Sequence, residues 1–192
     1  IVFGDWSSDV CSSDLAPDKG GAPPAFDGSG AMVHDRVRQE MRAVLATSDR
    51  VPFLDEGART LLEEGRNYYH RAGLDANQML ERGNEVCLLT WHGDWVNDAL
   101  ALLLVQYGLQ ASNEGLVVNI TGCTKEHVLE ALDQIAELGN LDPVSLLKMA
   151  NNTLREKWDW TLPEAIARRS FASLCLDLPG ALNAARCISQ RG

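Results

Sequence analysis

Cysteine, positive charge, histidine and long apolar runs are all scarce in this chain, and each scarcity removes a class of function. Cys11, Cys87, Cys123, Cys175 and Cys187 are scattered, with no CxxC pair. That argues against a disulfide framework or a zinc site and for a reducing, cytoplasmic setting. Cys87 and Cys175 sit inside apolar runs, where a small thiol packs buried. The longest apolar runs, CLLTW and ALALLLV, are far too short to span a bilayer. No basic segment leads into an apolar stretch, as a secretory signal requires. Lys and Arg number 17 against 27 Asp and Glu, for a net charge of -10 over 192 residues. Residues 1–30 hold five acids and one lysine, so residues 31–192 carry 22 acids and 16 bases. Such a domain lacks the clustered bases that grip a phosphate backbone unaided, although it can support a basic partner. The four histidines form no HxxxH, which speaks against a metal site. GCTKEH (122–127) is no phosphate loop, because Lys125 follows a threonine and no second glycine precedes it. GxSxG is missing too, so no α/β-hydrolase nucleophile is indicated. No 20–50-residue repeat is present.

What is present divides into three parts. The opening IVFGDWSSDVCSSDL has no sustained period, and its serines and aspartates favour turns. DWSSDVCSSDL matches one reading frame of a common sequencing-library adapter, so residues 1–15 are expected to be an assembly artefact, with a true upstream neighbour missing. Residues 16–30 (APDKGGAPPAFDGSG) read as a Gly/Pro-rich linker, and 31–190 as the folded domain.

Within that domain, Val37, Met41, Val44 and Leu45 recur at helical spacing over 34–45. After Asp55 a second helix is predicted, with Ala58, Leu61, Leu62, Gly65, Tyr68, Tyr69 and Ala72 on one face and Gly73 as its stop. A short polar helix is expected near 75–81. Residues 85–91 (EVCLLTW) read as a buried strand, bounded by Gly83-Asn84 and Gly93. Asp94 is placed to cap a helix over 95–107 with a wide apolar face. Segments 109–112 and 115–121 flank Asn113-Glu114 as a hairpin, and a crossover helix makes the first two strands parallel. Thr124 opens an amphipathic helix with Val128, Leu129, Leu132, Ile135 and Ala136 inward, and Asp142-Pro143 starts another. Thr161-Leu-Pro-Glu164 has capping-box spacing and Asp177-Leu-Pro179 repeats the Leu-Pro pattern, predicting helices at 162–172 and 179–188. The expected fold is α/β (α+β): a helix-rich domain around a small three-stranded mixed sheet in β-α-β-β order, with a helical C-terminal tail.

Two stretches carry candidate chemistry. In TWHGDW (90–95), His92 at a strand's C-terminal end can serve as a general base or ligand, oriented by Asp94 or Asp98. The architectural reading makes Gly93 a tight turn, Asp94 a cap, and Trp91 and Trp95 core anchors, and it is preferred because one local His–Asp pair specifies no reaction. In LREKWDWTLPEAIARRS (154–170), Arg155, Lys157, Arg168 and Arg169 suit phosphates while Trp158 or Trp160 suits base stacking. From Arg155 onward six bases face four acids, which makes the tail locally positive. Against this, tryptophans at such spacing commonly close a core, the reading preferred for Trp158 and Trp160. Arg168 and Arg169 are the better candidates for a charged partner.

Taken in order, PPAFDGSGAMVHDRVRQEM, FLDEGARTLLEEGRNYY, CLLTWHGDWVNDALALLL, LQASNEGLVVNI and REKWDWTLPEAIARRSFAS resemble the C-terminal accessory region of large bacterial DEAD/DEAH-box helicases of superfamily 2. The resemblance, one of segment order and texture, spans roughly residues 22–188. It implies an add-on to two upstream RecA-like motor domains of the same polypeptide. Those domains would bind ATP and magnesium, hydrolyse the ATP and move on DNA or RNA. The chain has no Walker A loop, DExx box or arginine finger, so the resemblance implies no catalytic residue and no cofactor here. Beside it stand a stand-alone α/β protein-interaction module and a small hydrolase or transferase using His92.

Overall fold

A computed structural model of the chain describes residues 32–139, 141–150, 153 and 158–190, together with Val2–Phe3 and Ser13–Asp14. It divides into two units, Ile1–Ala31 and Met32–Gly192. In the first, β1 (Val2–Phe3) and β2 (Ser13–Asp14) pair antiparallel, Val2 opposite Asp14 and Phe3 opposite Ser13. The turn-favouring sequence predicts no paired element there. The expected linker at 16–30 lies outside the described residues.

The second unit is helix-rich, around a four-stranded sheet. Its strands are β3 (Met79–Arg82), β4 (Glu85–Leu88), β5 (Gln110–Asn113) and β6 (Val118–Thr121). The spatial order is β3-β4-β6-β5, and every pairing is antiparallel. This corrects the expected three-stranded mixed sheet in two ways. First, the segment read as a polar helix near 75–81 ends in β3, which pairs with β4 through a two-residue turn at Gly83-Asn84. Gly83 has φ +64 and Asn84 does not have positive φ, the pattern of a tight hairpin that requires glycine first. Second, β4 and β5 do run the same way, but β6 inserts between them, so the crossover helix never brings them into a parallel pair. Strand β4 ends at Leu88, three residues before the expected limit, and 89–93 has no regular structure, with Trp91 at a left-handed φ.

Helices α1 (Asp35–Ala46) and α2 (Glu56–Arg71) precede the sheet. α3 (Asp94–Gln106) follows β4, and α4 (Lys125–Ala136) follows β6. The short α5 (Pro143–Leu146), α6 (Glu164–Cys175) and α7 (Leu178–Ser189) complete the unit. The side chains of Asp55, Asp142 and Asp177 cap α2, α5 and α7 by accepting from Ala58 N, Val144 N and Gly180 N. Thr161 does not form the expected capping box: α6 starts after Pro163, and Thr161 Oγ1 donates to the Trp158 carbonyl at 2.7 Å. No helix among the described residues is long and apolar enough to cross a membrane.

The main core lies on one face of the sheet, where strand alternation points Val86, Leu88, Val118 and Ile120. Against them pack Leu100, Leu103 and Leu104 of α3, Val128, Leu132 and Ile135 of α4, and the alanines Ala181, Ala184 and Ala185 of α7. Each fully buried Leu, Ile or Val contributes about 1.5–3 kcal/mol. Small residues on α7 let it approach α3 and α4 closely. A second cluster on the other side gathers Tyr69, Leu74, Leu89 and Trp91, with Leu45, Leu80, Leu116 and Val117 at its margin. The expected inward face of α2 is corrected here: Leu61 and Tyr68 are exposed, and the buried positions are Tyr69 and Arg66. Arg66 replaces the lost water with partners, donating to Val44 O at 3.1 Å and Asp49 O at 2.9 Å and pairing with Glu63 at 2.8 Å.

Candidate functional site

The TWHGDW corner connects β4 to α3, and its polar atoms are engaged in holding three distant segments together. Thr90 Oγ1 donates to Asn97 Oδ1 at 2.5 Å and accepts from His92 N at 3.0 Å. Asn97, fully buried on α3, donates from Nδ2 to Gly115 O at 3.0 Å. His92 Nδ1 lies 2.9 Å from Asp35 Oδ2, while the other oxygen of Asp35 accepts from Gly93 N at 2.6 Å. Neither Asp94 nor Asp98, the sequence-adjacent candidates, orients this imidazole; Asp98 accepts from Asn113 Nδ2 at 2.8 Å. Burial pushes the Asp35 carboxyl up, but the His92 and Gly93 hydrogen bonds and the nearby histidine charges outweigh it, leaving Asp35 below the usual carboxylate range.

Asp94 has a different task from the cap assigned to it. Gly93 is the N-cap and contributes no side chain, so Asp94 is the first helical residue. Its Oδ2 accepts from Val33 N at 2.7 Å, and its own N–H donates to Val33 O at 3.0 Å. Arg38 approaches its Oδ1 at 3.7 Å. The stretch leading into α1 is thereby fastened to the start of α3. Gly93 is required for the approach, because a Cβ there would collide with the Val33 carbonyl and lie 2.7 Å from Asp35 N.

Trp91 is a core anchor as expected, 3% exposed. Trp95 is only half-buried, its Nε1 donating to Leu174 O at 2.6 Å. Trp91 also bears two local costs. It adopts a left-handed φ of +59, unusual for a non-glycine residue, and its indole N–H is buried without an acceptor among the described residues. Each costs on the order of 1–3 kcal/mol. The ring is held from both sides, by Tyr69 with centroids 5.9 Å apart and by the Arg42 guanidinium 5.7 Å from its centre.

Chemically, the His92–Asp35 pair has the orientation that a general base needs, with Nδ1 fixed by a carboxylate. Among the described residues no serine, threonine or cysteine is hydrogen-bonded to Nε2. Nor, among the described residues, do three His, Cys, Asp or Glu residues gather as metal ligands would.

The second stretch is resolved differently from expectation. Arg155 and Lys157 lie outside the described residues. Trp158 and Trp160 do not close the core: they are 63% and 68% exposed, at the short 3-10 turn Asp159–Thr161 before α6. On α6, Ile166, Arg169, Ser170, Ser173 and Leu174 follow helical spacing along one face, and Ile166 and Leu174 are more than half exposed. Ala167, Ala172 and Cys175 turn inward. Arg168 is tied to Glu164 at 2.5 Å, one turn back, whereas Arg169 is exposed. Cys87, expected buried, is half-exposed, and Cys175 is buried as expected.

The signals that sequence reasoning missed were Asp35 and Arg66, whose roles depend on partners far along the chain. Gly83-Asn84, by contrast, was a usable hairpin signal for β3. No family model, curated protein or solved structure matches this chain.

Proposed function

We propose that this chain is an accessory domain of an ATP-dependent DEAD/DEAH-box helicase, non-catalytic itself, that docks on the motor part of its polypeptide through the Trp158–Leu174 surface. The reading rests on the resemblance of the sequence segments, in their order, to those of such helicases. The observation that carries the docking surface is the exposure of Trp158, Trp160, Ile166 and Leu174 around one end and one face of α6. Large apolar side chains grouped in this way are characteristic of surfaces that meet another protein. ATP and magnesium belong to the motor in this reading, and the setting is cytoplasmic.

Direct grip on DNA or RNA is the second reading, favoured by the exposure of Arg169 and of the Trp158 and Trp160 indoles in the same stretch of chain. The net charge of -10 and the engagement of Arg168 by Glu164 weigh against it. A hydrolase or transferase using His92 would draw on the His92–Asp35 pair, whose Nδ1 is fixed by a carboxylate.

The first test is the genomic reading frame upstream of residue 16, where the proposal expects a Walker A loop and a DExx box. A frame without them refutes the parentage. With the complete polypeptide in hand, a Trp158→Ala/Trp160→Ala variant should lose coupling between ATP hydrolysis and strand movement at 50 and 300 mM salt alike. A defect confined to low salt, where phosphate contacts dominate, would transfer the surface to nucleic acid.

A further inference from the structure

Between the α1–α2 pair and the outer face of the sheet lies a cavity of about 510 Å³. It is walled by Leu45, Tyr68, Leu80, Leu89, Trp91 and Leu116, with Glu81, Arg82 and Cys87 also on its lining. Its size falls among small-molecule sites, at about 300–1,000 Å³, and so does its chemistry of many apolar walls and few polar groups. Strand geometry sorts the charges around it. Leu80 is paired with Cys87, and both line the cavity. Alternation therefore places the Arg82 side chain on that same face and turns the Glu81 side chain to the other. Arg82 is exposed at this edge and has no ion pair among the described residues. Glu85 and Glu114 lie near Cys87 but are not on the lining. With burial, they push the thiol up, so it remains a neutral part of the wall at ordinary pH. Trp91, in its left-handed conformation and with its unpartnered N–H, forms part of the same wall. Local costs of that kind cluster at binding sites, where the surroundings enforce them.

We propose that this cavity binds one small amphipathic anion: an apolar body against Leu80, Leu89, Leu116 and the Trp91 ring, with its charged group on the Arg82 guanidinium. A body of about 20 non-hydrogen atoms fits, scaling from the 150 Å³ apolar cavity that holds benzene. This site is independent of the α6 surface, and either can fail without the other.

A matched pair of fluorescent probes tests it, 8-anilinonaphthalene-1-sulfonate and N-phenyl-1-naphthylamine, which share a body and differ by the sulfonate. The sulfonate is expected to bind at one molecule per chain, with near-ultraviolet circular dichroism retained to show that the folded chain is the binder. The uncharged analogue should bind about tenfold more weakly, and Arg82→Ala should weaken the sulfonate by about the same factor. Equal affinity for the two probes, or an Arg82→Ala chain that binds the sulfonate unchanged, overturns the anionic assignment. Location has its own readout. Saturating sulfonate should slow alkylation of Cys87 by iodoacetamide at pH 9 at least fivefold, while the exposed Cys187 reacts as before. Unchanged Cys87 alkylation overturns the cavity as the site. Gly65→Leu adds bulk on the α2 side, where a Cβ meets only Leu45 Cδ2 at 3.4 Å, and should abolish binding. Full binding by a folded Gly65→Leu chain also overturns the proposal, and if that variant does not fold, Cys87 protection in the unaltered chain decides.

Discussion

Substituting Gly93 by alanine tests whether the β4–α3 corner is held by close backbone approach. Gly93 has ordinary extended φ, so alanine brings no conformational strain of its own. The added Cβ would overlap the Val33 carbonyl oxygen and sit 2.7 Å from Asp35 N and 2.9 Å from Asp35 Oδ1. The first two are backbone atoms, which cannot rotate aside, so the whole start of α1 must move. That movement loosens the 2.6 Å bond from Gly93 N to Asp35, the His92–Asp35 contact and the reciprocal Val33–Asp94 bonds together. Forcing a methyl into a packed site costs roughly 1–3 kcal/mol, and a hydrogen bond to a charged group contributes roughly 1.5–3 kcal/mol. Water replaces part of the lost bonding, so a net loss of about 2–4 kcal/mol is expected in urea unfolding, or roughly 4–16 °C in Tm. Amide exchange at Val33, Gly93 and Asp94 should accelerate, since these donors leave their acceptors. Gly139→Ala is the control, because nothing lies within 4 Å of its Cβ. A Gly93→Ala chain within 0.5 kcal/mol of the parent, with unaltered exchange at those amides, would refute the reasoning.

Two further substitutions probe groups with distant partners. Asp35 is held below its ordinary value of 3.8, so its contribution is complete above that value and fades as pH falls through 3.8 toward the lower folded pKa. Urea midpoints measured from pH 7 to pH 3 should therefore decline more for the parent than for Asp35→Asn, and parallel curves would show that the carboxylate is not held by His92. Arg66→Met keeps the length of a buried side chain but strands the Val44 and Asp49 carbonyls, and should cost about 2–3 kcal/mol in the same assay. A neutral result would mean that water reaches both oxygens.

How far the sequence reaches depends on the range of the interaction involved. Asp55, Asp142 and Asp177 cap helices through amides two or three residues away; Asp142 was readable as a cap, and the other two stand just before helices that the sequence predicts. The apolar crowding of α3 also announced a buried helix, because nearly every face of it had to be covered. Asp94 shows where local reading stops. It has the right type and place for a cap, yet Val33, 61 positions earlier, takes its carboxylate. His92 likewise finds its carboxylate in Asp35, 57 positions away, rather than in either neighbouring aspartate. Trp158 and Trp160 carry no sign in the sequence for inward or outward, since an indole serves a core or a contact surface equally well.

Local spacing and residue chemistry alone determined most of the helices and the pairing of β5 with β6. Tertiary structure decided which strand lies beside β4, which aspartate meets His92, and which large side chains remain uncovered. Those choices compare contacts between segments far apart in the chain, and only the packed whole fixes which contact excludes the others.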